Sequence, residues 1–162
     1  MTTANKLRIG ILGASGYTGA ELLRLLALHP GVEIRLLTAD RQAGKPLAEI
    51  FPHLGRLDLP SLVKIEEADW SKVDFVFCCL PHGTTQEVIA ALPRGLKIVD
   101  LSADFRLADL ESYATWYGHA HRAPELQRVR RRPSRLSHPN RSSSFCTSPS
   151  ETGRAATSAG SG

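Results

Sequence analysis

Glycines stand at positions 10, 13, 16 and 19, and the last three belong to one run, Gly13-Ala14-Ser15-Gly16-Tyr17-Thr18-Gly19. The spacing suits a loop that receives a pyrophosphate. Gly13 permits a tight turn out of a strand, and Gly16 lets the backbone approach the phosphates. Gly19 lets the following helix pack closely on that strand. The helix start then offers free N–H groups and the positive end of its dipole to the ligand. The alternative is a glycine-rich turn with no ligand. The strand–loop–helix setting favours a dinucleotide.

The end of the second strand reads Leu36-Leu37-Thr38-Ala39-Asp40-Arg41. An acidic side chain there would hold the 2′-hydroxyl of an NAD ribose. Thr38 takes that place, Asp40 follows two residues later, and Arg41 has the fork of donors that suits a 2′-phosphate. This chemistry favours NADP over NAD. The alternative is a solvated Arg41 and an Asp40 that begins a turn.

Two later loops complete the candidate chemistry. Leu80-Pro81-His82-Gly83-Thr84 follows a very apolar strand, and Ser102-Ala103-Asp104-Phe105-Arg106 follows the next one. In an open parallel sheet, ligands gather at the carboxyl ends of strands. His82 can border a nicotinamide or donate to a substrate oxygen, or else bond to backbone at a helix start. Arg106 can bind an anionic substrate, or pair with Asp104 or Asp109. Ser102 and Asp104 can cap the next helix instead. Cys78 and Cys79 sit in consecutive strand positions and read as small core residues. His119 and His121 lack further ligands at metal-binding spacing, so no metal is expected.

The elements that must position these residues follow from periodicity. Leu7–Leu12 is a short apolar run read as a buried parallel strand. Tyr17 to His29 is helical, with a broad stripe of Leu22, Leu23, Leu25, Leu26 and Leu28 ended by Pro30-Gly31. Strands are expected at 32–37, 62–65, 74–80 and 97–101, and a helix at 84–92. A short helix near Tyr113, Trp116 and Tyr117 should pack through its aromatics. Strands that alternate with helices predict an α/β, Rossmann-type parallel sheet flanked by helices.

Charge divides the 162 residues unevenly. Residues 1–127 carry 13 basic and 15 acidic side chains, whereas residues 128–162 carry seven Arg and one Glu. Only seven of those last 35 residues are hydrophobic, too few to offset the ordering entropy of the segment, so a disordered tail is expected. The reading is therefore a cofactor domain over 1–127 and an Arg/Ser-rich tail over 128–162. No run approaches the length of a membrane span. The N-terminus lacks the pattern of a secretory signal, and three Cys form no disulfide framework. A cytoplasmic setting is expected.

The runs GILGASGYTGAELLRLL, AGKPL, CLPHG, VDLSADFRL, WYG and HRAPEL together resemble the N-acetyl-gamma-glutamyl-phosphate reductase family of arginine biosynthesis, over residues 7 to about 127. The resemblance implies an NADPH-dependent reduction of a small-molecule acyl phosphate to an aldehyde, with release of phosphate. In that scheme a Cys thiolate forms a thioester, hydride reduces it, and a His serves as acid and base. By resemblance, Ser15, Gly16, Tyr17 and Thr18 match the phosphate loop, between Gly13 and Gly19. Thr38 and Arg41 fall near the adenosine ribose. Pro81, His82 and Gly83 lie along the nicotinamide side, with Leu80 beside them. Ser102, Asp104 and Arg106 match the loop beside the substrate. A homo-oligomer is implied for the full-length family.

The departures are informative as well. The family's Asn-Pro-Gly-Cys-Tyr run, which carries the nucleophile and opens a catalytic domain, has no match. Cys146 sits in Ser144-Phe145-Cys146-Thr147 instead, and no catalytic Cys or His is assigned. The expectation is a family cofactor domain whose second domain is missing. The tail composition is that of a GC-rich coding region read out of frame. Alternatives are a catalytically silent NADP-binding fragment, or a reductase of carrier-protein-linked glutamyl or aminoadipyl phosphate in lysine synthesis. The Arg-rich tail also admits weak nucleic-acid association, but one aromatic and no Lys argue against specific binding.

Overall fold

The computed structural model describes residues 6–127. The chain divides into two units, Met1–Arg130 and Arg131–Gly162, and every described residue belongs to the first. The expectations for residues 128–162, Cys146 among them, lie outside the described residues.

Five strands form one parallel sheet: β1 (Leu7–Leu12), β2 (Val32–Thr38), β3 (Leu62–Val63), β4 (Phe75–Cys78) and β5 (Lys97–Asp100). Their spatial order is β3-β2-β1-β4-β5. All four pairings are parallel, with Leu12 beside Thr38 on one side and Cys78 on the other. The order reverses direction between β1 and β4, which opens a crevice at the carboxyl ends of these two strands.

Consecutive strand residues point to opposite sides, and the central strands β1, β2 and β4 together bury side chains in a core on each face, whereas β5 has no buried residue. Ile11, Leu37 and Leu62 pack with Leu23 of α1 (Tyr17–Leu26) and Leu47 of α2 (Leu47–Ile50). Leu12, Leu36, Val76 and Cys78 form the other core with Leu92, which follows α3 (Thr85–Ala91), and Val88 and Ile89 pack against it. α4 (Leu110–Tyr117) and α5 (Pro124–Gln127) complete the described chain.

Several boundaries differ from those read in the sequence. The first helix stops at Leu26 rather than His29. His29 precedes Pro30, which disfavours helical backbone, and its ring instead accepts the Gly31 N–H in a turn. The apolar stripe is narrower than expected. Leu23 is buried, but Leu25 is 55% exposed, since its angular position falls outside the arc facing the sheet, and Leu28, beyond the helix end, is 80% exposed. The third strand ends at Val63 because a 3-10 turn starts at Ile65. In α4 only Tyr113 is buried, Tyr117 is half-buried, and Trp116 lies open to solvent. The cap of α4 is Asp109, whose carboxylate accepts the Ser112 N–H at 2.8 Å, and not Ser102 or Asp104.

Candidate functional site

The glycine loop joins β1 to α1 at the crevice. Gly13 has a φ of +74°, and a Cβ there would lie 2.8 Å from the Cys79 carbonyl oxygen. The turn is thus both left-handed and pressed against the end of β4. A Cβ on Gly19 would lie 2.6 Å from the Gly13 oxygen, so this glycine brings helix and loop together. Gly16 is different. A Cβ there would meet only the Gly13 oxygen, at 3.4 Å, so protein packing does not demand glycine. Gly16 caps α1 with no side-chain hydrogen bond, and the first turn holds no acid. This helix start is exposed and its N–H groups have no side-chain cap, which is what a phosphate requires. Tyr17 and Thr18 are exposed beside it, and Ser15 is half-buried.

At the end of β2, Thr38 is fully buried, and its Oγ1 has no hydrogen-bond partner. It therefore presents no surface to a ribose. Asp40 and Arg41 are exposed in the following turn, where the Asp40 carbonyl accepts the Ala43 N–H.

The two loops after β4 and β5 meet through Asp104. This side chain is fully buried. Both its oxygens accept the Gly83 N–H at 3.0 Å, its Oδ1 pairs with His82 Nδ1, and Tyr113 Oη lies 3.4 Å from Oδ1. Gln86 donates to Tyr113 Oη at 2.6 Å and accepts the Arg122 N–H through Oε1. Arg122 Nη1 reaches the Gly83 carbonyl at 3.3 Å and Glu87 at 2.9 Å. His121 Nδ1 accepts the Ala123 N–H at 3.1 Å, so its proton resides on Nε2 and is donated to the Asp104 carbonyl at 3.1 Å. The ring of His82 lies 4.5 Å from that of Tyr117. The carboxylate itself holds the His82–Gly83 segment and Tyr113, while Gln86 and Arg122 join through Tyr113 and His121 joins through the Asp104 carbonyl.

Asp104 therefore has no exposed surface with which to meet a substrate; its position holds the His82–Gly83 backbone. His82 is 38% exposed and bonds to this side chain, not to backbone as one sequence alternative had it. Ser102 donates its Oγ proton to Asp100 at 2.8 Å and accepts the Asp104 N–H at 3.1 Å, so its hydroxyl shapes the loop. Arg106 is exposed, and its amide donates to the Ala103 carbonyl at 3.1 Å. Pro81 is exposed and its carbonyl accepts from Thr84 Oγ1, while Leu80 packs against the sheet core.

Burial sets the titration of this region. It pushes the Tyr113 hydroxyl up, helped by the neighbouring Asp104 charge. It pushes His121 down, although the Asp104 carbonyl resists that. Asp100 is raised by burial against the Ser102 hydrogen bonds. The Cys78 and Cys79 thiols are pushed up by burial to about 12 and about 11. They pack on opposite sides, Cys78 at the last position of β4 and Cys79 just beyond it, although the sequence reading places both within the strand.

Sequence reasoning did not select Gln86, Tyr113, His121 or Arg122 for this cluster. The available signal was polar: Thr85 and Gln86 open α3 yet are fully buried, so each must find a partner inside.

A parallel sheet in this order, with a ligand-ready glycine loop at its reversal point, defines a nucleotide-binding α/β domain of the Rossmann type. The chain belongs to the family described as semialdehyde dehydrogenase, NAD binding domain, which matches residues 8–133. A probable chloroplastic N-acetyl-gamma-glutamyl-phosphate reductase from Oryza sativa subsp. japonica is 64% identical over 125 residues, covering 77% of this chain and 30% of that protein. The N-acetyl-gamma-glutamyl-phosphate reductase of Rhodospirillum rubrum is 62% identical over 130 residues, covering 77% of this chain and 37% of its own length. That of Cereibacter sphaeroides strain KD131 is 66% identical over 120 residues, covering 74% and 35%. The chain thus spans 30% to 37% of the length of these relatives. Among solved structures, aspartate semialdehyde dehydrogenase with NADP from Candida albicans aligns with a TM-score of 0.56 at 20% identity. It covers 72% of this chain and 40% of that one, a likeness of fold. Among the described residues, no helix is long and apolar enough to cross a membrane.

Proposed function

We propose that this chain is the cofactor-binding part of an NADPH-dependent reductase of N-acetyl-gamma-glutamyl phosphate, forming N-acetylglutamate semialdehyde and phosphate in arginine biosynthesis. The observation that carries the cofactor reading is Gly16, an exposed helix-capping glycine that packing does not require, beside N–H groups with no side-chain cap. The substrate reading is supported by relatives of that name at 62% to 66% identity.

In this reading, the loop 13–19 holds the pyrophosphate on the α1 N–H groups, with Ser15, Tyr17 and Thr18 around it. Arg41 pairs with the 2′-phosphate, and this choice of NADP over NAD rests on its donor fork. Thr38 supports the loop from within the sheet, because its side chain is buried. Pro81, His82 and Gly83 border the nicotinamide side, with Leu80 behind them. Arg106 and the Ser102 loop face an anionic substrate. Bound NADPH supplies hydride to an acyl group.

Neither cysteine among the described residues is a usable nucleophile. Cys78 is buried and Cys79 half-buried, and burial raises both thiols, so neither offers a thiolate at neutral pH. The same observation favours a chain that binds the cofactor without turning over. The test is calorimetric titration of the 162-residue chain with NADPH and NADH, alongside an assay of phosphate-dependent NADP reduction with the semialdehyde. Binding of NADPH in preference to NADH, without turnover, is the expected result. Failure to bind either one overturns the reading, and equal affinity removes the role of Arg41.

A further inference from the structure

We propose that Asp104 holds His82 in the tautomer protonated on Nδ1, so that Nε2 stands at the crevice as a hydrogen-bond acceptor for an amide N–H, that of the nicotinamide carboxamide. The identity of the amide rests on the cofactor reading above; the tautomer does not.

The geometry assigns the proton. Asp104 acts as an acceptor at both oxygens, because the single Gly83 N–H points at both. His82 Nδ1 lies against Oδ1, and two acceptors cannot face each other, so Nδ1 carries hydrogen. A fully buried carboxylate cannot turn away to water, so this direction is imposed on the ring. Tyr117 packs against the imidazole at a tilt of 41° with centroids 4.5 Å apart, and His119 stands 6.1 Å away. These contacts hinder a ring flip. Nδ1 is engaged by Asp104, and the side chain as a whole is still 38% exposed.

A neutral ring protonated on Nδ1 accepts at Nε2 and cannot donate there. This reverses one sequence expectation, in which His82 donates to a substrate oxygen. A carbonyl or phosphate oxygen has no hydrogen to offer such an atom, whereas a carboxamide offers two. The place also fits. The glycine loop after β1 receives the pyrophosphate, and β2 lies on the adenosine side. β4 and β5 therefore border the nicotinamide half across the reversal point. Asp104 is a positioning residue that acts through His82.

Two measurements on the full chain decide the matter. The first is 15N NMR of histidine-labelled protein at mildly alkaline pH, with His82 assigned by loss of its signals in His82→Phe. The expected spectrum shows hydrogen on Nδ1 only. Hydrogen on Nε2, or on both nitrogens, overturns the proposal. In Asp104→Asn an amide group can face Nδ1, and the proton should move to Nε2, which a purely structural role of Asp104 does not predict. If that variant does not fold, the native spectrum still decides. The second measurement compares the affinity for NADPH with that for its 3-acetylpyridine analogue, which keeps the carbonyl and lacks the N–H. Native protein should prefer the carboxamide by about threefold to tenfold, the scale of one hydrogen bond. His82→Phe, which can still pack against Tyr117, should lose the preference. Equal native affinities overturn the carboxamide assignment and leave the cofactor reading intact. No binding of NADPH overturns both, while the tautomer is still read from the spectrum.

Discussion

Three glycines of one loop have three different reasons to be glycine, and substitution separates them. Gly13→Ala meets a left-handed φ and a carbonyl oxygen, and Gly19→Ala meets the Gly13 carbonyl. Each should destabilise the chain by about 1–3 kcal/mol in urea unfolding. Gly16→Ala should cost less than about 1 kcal/mol, the scale of a poorer cap residue, yet weaken NADPH binding because its methyl enters the phosphate space. A Gly16→Ala chain that binds normally would place the phosphate elsewhere. His121 makes a second prediction at this scale. Its pKa is lowered from 6.5, chiefly by burial, so below pH 6.5 the unfolded chain takes up a proton that the folded ring resists. Stability is therefore fully present above pH 6.5 and declines as pH falls through the lowered value. In His121→Asn the amide oxygen can replace Nδ1 as acceptor of the Ala123 N–H without titrating. Chemical denaturation across pH should show a shallower acid decline for it, and parallel curves would refute the assignment.

Elements are held here by polar ends as much as by apolar faces. α4 is eight residues long, with a short buried side, and it carries Tyr113 and Tyr117 to the His82 ring. Its Asp109 cap satisfies the Ser112 N–H, and the same hydrogen bond holds the Asp109 carboxyl below its usual range. Asp109→Ala should cost about 0.5–2 kcal/mol in urea unfolding. Hydrogen exchange should accelerate across 110–117 and extend to Gly83, whose N–H depends on Asp104 and, through it, on Tyr113. Faster exchange confined to α4 would mean that the network does not couple the two loops. The sequence signals for these elements were strong where apolar runs were long, as in β1 and β4. They were weak at α4, where one buried tyrosine among exposed neighbours leaves little periodicity.

Across the described unit, apolar surface remains open on the side of α1. Tyr17, Leu22, Leu25 and Leu101 line one shallow groove, and Tyr17 is 91% exposed. The edge strand β5 adds Val99, 40% exposed. Exposed apolar side chains of this kind, here interrupted by Thr18 and Glu21, promote association. Sedimentation velocity at increasing concentration should show self-association of the chain, and Leu25→Glu with Leu101→Glu should reduce it. A monomer at all concentrations would count against this expectation.

Local spacing in the sequence was enough to specify the glycine loop, the alternation of strands and helices, and the two loops at the strand ends. Each of those signals lies within a few residues, where backbone sterics and side-chain periodicity act directly. The role of Asp104 could not be read that way. Its partners Gly83 and His121 stand 21 and 17 residues away, and the Arg122–Gln86 bond spans 36. The same holds for Thr38, which spacing places beside a ribose and packing places inside the sheet. Whether a polar side chain faces a ligand or the interior depends on which segments close over it. Only the folded arrangement of β4, β5 and α4 decides that, because burial obliges each polar atom to find its partner among residues distant in the chain.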